Sequence, residues 1–234
     1  MNTTTDPIDL DIPRTIGEIV RAAMGIYARW PLLFVFLAGI VIVPYEVVFA
    51  LVTAGHAGPS ASTILILALV ELVLVNPLIA ALEMQLLIDL GNGAVPRAGS
   101  IVSRGLRVLA VVAAAQIVVG LAVAAGLVLF VLPGVYMAVR LAVAAPVAAA
   151  EANIHWPGAI RRSLALTAHN FWRVLGLLAI QGLLIYFVGL IVGANTVAGV
   201  ILGLVLAVLA YSFSTLLISL LYFDLRARAA GVAA

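Results

Sequence analysis

The sequence predicts an all-α integral membrane protein: six transmembrane helices as three pseudo-repeated hairpins, each preceded by a cytoplasmic amphipathic helix. Three observations predict it. The 234 residues are 65% hydrophobic and 9% charged, with mean hydropathy +1.28; a soluble domain carries about 25% charged residues to cover its surface. Six stretches have the roughly 20 mostly apolar residues that a spanning helix needs. All twelve basic residues are arginine, and eleven of them fall in alternate connections.

The elements follow in order. Residues 1–12 are polar and acidic, without the basic head and apolar core of a cleavable signal, and are expected as a disordered tail. One transmembrane domain covers 13–228, in units 13–89, 96–151 and 157–224, and 229–234 form a second tail. The spans are read at 31–54, 63–89, 106–131, 133–151, 172–194 and 197–223. Phe130-Val131-Leu132-Pro133-Gly134 makes a tight turn between spans three and four, and Ala194-Asn195-Thr196 one between spans five and six.

Sidedness comes from the connections. Loops 55–62, 130–134 and 194–196 hold no arginine, and His56 is their only titratable group. The N-terminus, loops 90–105 and 152–171 with their immediate flanks, and the C-terminus hold Arg14, Arg21, Arg29, Arg97, Arg104, Arg107, Arg161, Arg162, Arg173, Arg226 and Arg228. Arginine collects on the cytoplasmic side, so both termini are expected there. Zero lysine with abundant Ala and Val suggests a GC-rich bacterial genome, and so a bacterial inner (plasma) membrane.

The units open and close alike. Pro13, Pro96 and Pro157 each precede an amphipathic segment, and proline is tolerated in a first helical turn because its missing N–H has no intrahelical partner. Ile16, Ile19, Val20, Ala23 and Tyr27 make the first apolar stripe. Ile101, Val102, Leu106 and Leu109 make the second, and Ile160, Leu164, Thr167 and Phe171 the third, all at helical spacing. Asp89, Glu151 and Asp224 end the even-numbered spans. Parallel repeats of this kind place a pseudo-symmetry axis along the membrane normal.

Ionisable side chains within a bilayer are candidates for function. At 1.5 Å rise per residue, Glu46, Glu71 and Arg140 fall at a common depth, roughly 10–12 Å from the outer edge. Arg140 is therefore expected to meet Glu46, Glu71 or both. One reading is an ion, proton or anion site; the other is a buried ion pair joining units one and two. Near the arginine-rich edge lie Glu83, Asp89, Glu151 and Asp224, expected to pair with Arg97, Arg161, Arg162 or Arg226. Arg14, Arg21, Arg104, Arg107, Arg161, Arg162 and Arg173 are candidates for lipid headgroup contact. Asn76, Gln116 and Gln181 sit near mid-membrane, where amides usually bond between helices. Pro44, Pro77 and Pro146 are expected to kink their spans, and Gly189-x-x-x-Gly193 and Gly199-x-x-x-Gly203 to allow close helix approach.

Three segments carry a family resemblance. Residues 12–34, IPRTIGEIVRAAMGIYARWPLLF, form the first; residues 132–176, from Leu-Pro-Gly through Arg-Arg-Ser-Leu to Phe-Trp, form the second; LLYFDLRAR at 220–228 forms the third. In that order they resemble the membrane-domain family attached to some glycerophosphoryl diester phosphodiesterases. The resemblance implies a multi-helix membrane domain. In that family the phosphodiesterase chemistry resides in a separate soluble barrel, for whose roughly 250 residues there is no room here.

No catalytic constellation appears. The three histidines are scattered, and His-x-x-x-His, Gly-x-Ser-x-Gly and phosphate-loop patterns are missing. Zero cysteine removes thiol chemistry. No cofactor and no nucleic-acid partner is expected. The leading functional reading is a non-enzymatic membrane protein that binds lipid or a protein partner, a second copy included. Arginine-bearing helices at an anionic leaflet motivate it. The alternatives are a small transporter using Glu46, Glu71 and Arg140, and an accessory subunit of a membrane complex.

Overall fold

The computed structural model describes residues 8–53, 59–151, 153–191 and 197–232. The outer-loop His56, the turn at 194–196 and Gly193 lie outside these. The described residues form α1 (Ile16–Arg29), α2 (Pro31–Thr53), α3 (Ala61–Val70), a π-helical segment (Glu71–Val75) and α4 (Asn76–Gly91). α5 (Ala98–Leu129), α6 (Val131–Leu141), α7 (Ala144–Ala150), α8 (Trp156–Thr167), α9 (Phe171–Ile191) and α10 (Val197–Val232) follow. Six helical stretches are long and apolar enough to cross a membrane, with α3 through α4 forming one and α6 plus α7 another. The chain is a multi-pass, all-helical membrane protein.

The three span prolines have three different outcomes. Proline lacks an N–H and crowds the carbonyl four residues back. Pro44 stays inside a continuous α2. Pro77, at the start of α4, is preceded by the π segment, where the Asn76 N–H bonds back to the Glu71 carbonyl; membrane helices absorb a proline by such adjustments. Pro146 breaks its span, leaving Ala142–Val143 as a turn between α6 and α7. Beside this turn the Arg140 carbonyl faces α8. Ser163 and Thr167 of α8 donate their hydroxyls to it, each at 3.0 Å.

The three amphipathic segments are built differently. α1 is a separate helix. Thr15 caps it, its hydroxyl accepting from the Glu18 N–H, while the Thr15 N–H donates to Glu18 Oε2 at 2.6 Å. That backbone bond, first among several influences, holds the Glu18 carboxyl below its usual range. Ile19, Ala23 and Ile26 are its buried stripe. The second segment is continuous with its span, so that α5 runs unbroken for 32 residues. The third, α8, packs on α5, α6 and α7 and also touches α10.

α4 and α10 are the central helices. From Ile79 to Leu90 nearly every α4 side chain is buried, as are most of Leu216 to Leu225 in α10. α4 ends at Gly91, and just beyond it Gly93, whose φ is 66°, allows the Ala94 N–H to reach the Asp89 carbonyl at 2.9 Å. The dense core lies at the arginine-rich end, while the opposite end splays. Val128 is 90% exposed, and α2 and α3 part toward their loop. Exposed Leu, Ile, Val and Phe along α2, α3, α6 and α9 give the lipid-facing surface a membrane protein needs.

One close approach holds the second hairpin at its turn. A Cβ at Gly126 would lie 2.8 Å from the Gly134 backbone, and one at Gly134 would lie 2.8 Å from the Leu127 nitrogen. Backbone cannot step aside as a flexible side chain does. Gly126→Ala and Gly134→Ala are therefore expected to cost about 1–3 kcal/mol each. Gly182→Ala, where nothing lies within 4 Å, should be close to neutral. Equal thermal stability of all three variants would contradict this geometry.

Candidate functional site

The intramembrane cluster forms around Glu71. The π segment changes the helical phase at Glu71 and turns its carboxylate toward two other helices. Tyr211 of α10 donates to Glu71 Oε1 at 2.8 Å, and Tyr45 of α2 donates to Oε2 at 3.2 Å. Tyr45 Oη also lies 3.4 Å from the Leu67 carbonyl. Glu46, next to Tyr45, is within electrostatic range of Glu71. Two acids and two phenols from three spans thus share one place. Neither tyrosine was legible as a partner from the sequence, because both read as ordinary span aromatics.

Arg140 is not in this cluster, contrary to the expectation from depth. Its guanidinium stands over the Tyr136 ring, 5.9 Å from the centroid, and its Nε is buried without a hydrogen-bond partner. Equal depth does not make neighbours: α6 packs on α5, α8 and α9, while Glu46 lies on α2 and Glu71 on the π segment. The break after Leu141 and the return of α8 onto α6 place Arg140 beside α8 instead.

Three edge acids do meet arginines. Asp89 takes Arg104 at 2.5 Å, and Glu151 takes Arg162 at 3.3 Å. Asp224, with its side chain 0% exposed, takes Arg173 at 2.8 Å and Arg228 at 3.2 Å. It also accepts the Arg14 backbone N–H at 2.6 Å. Tyr222 donates to Glu151 at 3.2 Å. Of Arg97, Arg161, Arg162 and Arg226, only Arg162 meets an edge acid among the described residues. Arg226 pairs with Asp11, not with an edge acid. Glu83 has no arginine at all: it is 1% exposed, and neither carboxylate oxygen has a hydrogen-bond partner.

The arginines expected at headgroups divide into two sets. Arg14 is buried and donates to the Leu10 and Asp9 carbonyls, holding residues 8–14 as a strap across the end of the bundle. The Ile8 N–H bonds to the Leu90 carbonyl at 3.2 Å in the same strap. Arg104, Arg162 and Arg173 are held by acids. Arg21, Arg107 and Arg161 are exposed and outside every ion pair among the described residues, as are Arg29 and Arg97. Of the mid-membrane amides, Asn76, Gln116 and Gln181 form no side-chain hydrogen bond among the described residues. Gln85 does, donating to the Ala149 carbonyl at 2.8 Å.

Beside Tyr45, the splayed α2 and α3 leave a groove of about 600 Å³. Ile40, Pro44, Val48, Ile66, Leu67 and Val70 are among its walls. Its volume lies within the roughly 300–1,000 Å³ of ordinary ligand pockets. Fold and site together define a six-span helical membrane protein with an apolar side groove that runs past Tyr45 of a carboxylate–phenol cluster. No family model, curated protein or solved structure matches the chain.

Interhelical hydrogen bonds in membranes contribute about 0.6 kcal/mol on average and up to about 1.7. Tyr211→Phe is expected to fall within that range, and Tyr45→Phe at its lower end, in reversible detergent unfolding. A double-mutant cycle of Tyr211→Phe with Glu71→Gln should show coupling. Strict additivity would mean that the phenol and the carboxylate do not interact.

Proposed function

We propose that this chain is a non-enzymatic, multi-pass protein of a bacterial inner membrane that binds membrane lipid, with an acyl chain in the α2–α3 groove. The groove carries the reading. It lies along two spanning helices, its walls are apolar, and it borders the exposed hydrocarbon-facing surfaces of both. The medium around such an opening is lipid hydrocarbon, so an acyl chain is its natural occupant. Tyr45, a hydrogen-bond partner of Glu71, is the member of the polar cluster that lines the groove, which continues past it to Ile40 and Leu78.

A second feature supports the same reading. Arg21, Arg107 and Arg161 come one from each sequence unit and lie outside every ion pair among the described residues. Exposed arginines near an anionic leaflet contribute about 1 kcal/mol each to headgroup attraction. Their side of the chain is the cytoplasmic one in this reading, with both termini there. The resemblance to the phosphodiesterase-associated membrane domains accords with it, because in that family catalysis resides in a different domain.

Native mass spectrometry after mild extraction tests this. The wild type should retain lipid adducts, and Val48→Trp with Val70→Trp, which fills the groove, should lose them at unchanged thermal stability. Retention equal to wild type would exclude the groove as the lipid site. A cysteine placed at Arg161, in a chain with none of its own, should react with an impermeant reagent only in opened cells. Reaction in intact cells would reverse the assigned orientation.

A further inference from the structure

Glu83 stands in the most protected part of the molecule. It belongs to the buried run of α4 and is 1% exposed. Tyr27 Oη of α1 and Ser212 Oγ of α10 are likewise buried, and all four oxygens lack a hydrogen-bond partner among the described residues. They are nonetheless neighbours. Ser212 lies close enough to interact with both the Glu83 carboxyl and the Tyr27 phenol, and Tyr27 is within electrostatic range of Glu83. The remaining walls are apolar: Tyr27 stacks on Phe34 at 5.3 Å and meets the edge of Phe213 at 5.9 Å.

No positive charge reaches the carboxylate. Arg21 and Arg29 of α1, Arg97 just ahead of α5 and Arg107 on it are exposed, and Arg104 is held by Asp89. On α10, Asp224, Arg226 and Arg228 are engaged with Arg173, Asp11 and one another. α7 has no charged residue, and Glu46, the charge on α2, sits by Glu71 instead. A bare carboxylate in such surroundings costs many kcal/mol, and buried charges are found paired or ligated.

We propose that Glu83, Tyr27 and Ser212 form a site for one small monovalent cation, a proton or a sodium ion, that neutralises the carboxylate and ties α1 to α4 and α10. Both ligands satisfy the same oxygens. A proton on one carboxyl oxygen donates to Ser212 or Tyr27, and the other hydroxyl donates to the second oxygen. A sodium ion takes the carboxylate and the two hydroxyls as hard oxygen ligands, as such cations require. A divalent ion does not fit the charge, since one carboxylate would leave a buried net positive charge.

The full chain in detergent supplies the test. Thermal unfolding is followed in NaCl against choline chloride at equal ionic strength and several pH values, beside infrared spectra at neutral pH. If sodium is the ligand, NaCl raises the midpoint, the rise shrinks at lower pH, and Glu83→Gln abolishes it. If the proton is the ligand, NaCl has no specific effect. A carboxylic-acid C=O band is then present at neutral pH, is lost in Glu83→Gln and persists in Glu46→Gln. Ser212→Ala keeps the carboxylate and should weaken the sodium effect or shift the band, which keeps the test open if Glu83→Gln folds poorly. Absence of both the sodium effect and the Glu83-dependent band overturns the proposal.

Discussion

A carboxylate with no access to water needs partners fixed in place, and Asp224 has them from three parts of the chain. Arg173 comes from the start of α9, Arg228 from the next turn of α10, and the backbone N–H of Arg14 from the strap ahead of α1. Arg228 also donates to the Arg14 carbonyl at 2.9 Å. Charge-assisted bonds of this kind are shorter and stronger than neutral ones. The arrangement sets where α1 begins, where the third hairpin closes and where the strap lies. Asp89 with Arg104 and Glu151 with Arg162 repeat the device at lower burial.

The consequence is a bundle tied at one end. Ion pairs, the buried run of α4 and the strap gather at the arginine-rich side. At the other side α2 and α3 separate far enough to leave a groove, while α5 and α6 stay in close backbone approach at Gly126 and Gly134. α2 and α3 diverge for a local reason. Pro44 sits in one arm, and the π segment before Pro77 changes the phase of the other. Glu71, Tyr45 and Tyr211 then provide the polar contact where the two arms and α10 still meet. A rigid base with an open, apolar side suits a protein that receives hydrocarbon laterally from the bilayer.

How much of this was legible depends on the range of the interaction. The six spans followed from length and apolarity, which are local, and the edge acids Asp89, Glu151 and Asp224 from their spacing. Thr15-x-x-Glu18 is a capping-box signal, present in the sequence but easily passed over, that marks the start of α1. Arg140 was misplaced because depth along a span does not say which spans are neighbours: α6 packs on α5, α8 and α9, away from the helices that carry Glu46 and Glu71. Arg14 read as a headgroup contact because nothing local shows that residues 8–12 fold over the bundle. The tyrosine partners of Glu71 are 26 and 140 positions away from it, beyond any helical periodicity.

The central claim is that Asp224 locks the strap and the third hairpin to the bundle. Hydrogen exchange of Asp224→Asn in detergent tests it most directly. The account predicts rapid exchange at residues 8–20 and around Arg173, unchanged protection in the α5–α6 hairpin, and a global loss of roughly 3–5 kcal/mol, as for breaking other buried ion pairs. Wild-type protection of the strap and of the start of α9 would show that the bundle closes without this carboxylate, and would contradict the account.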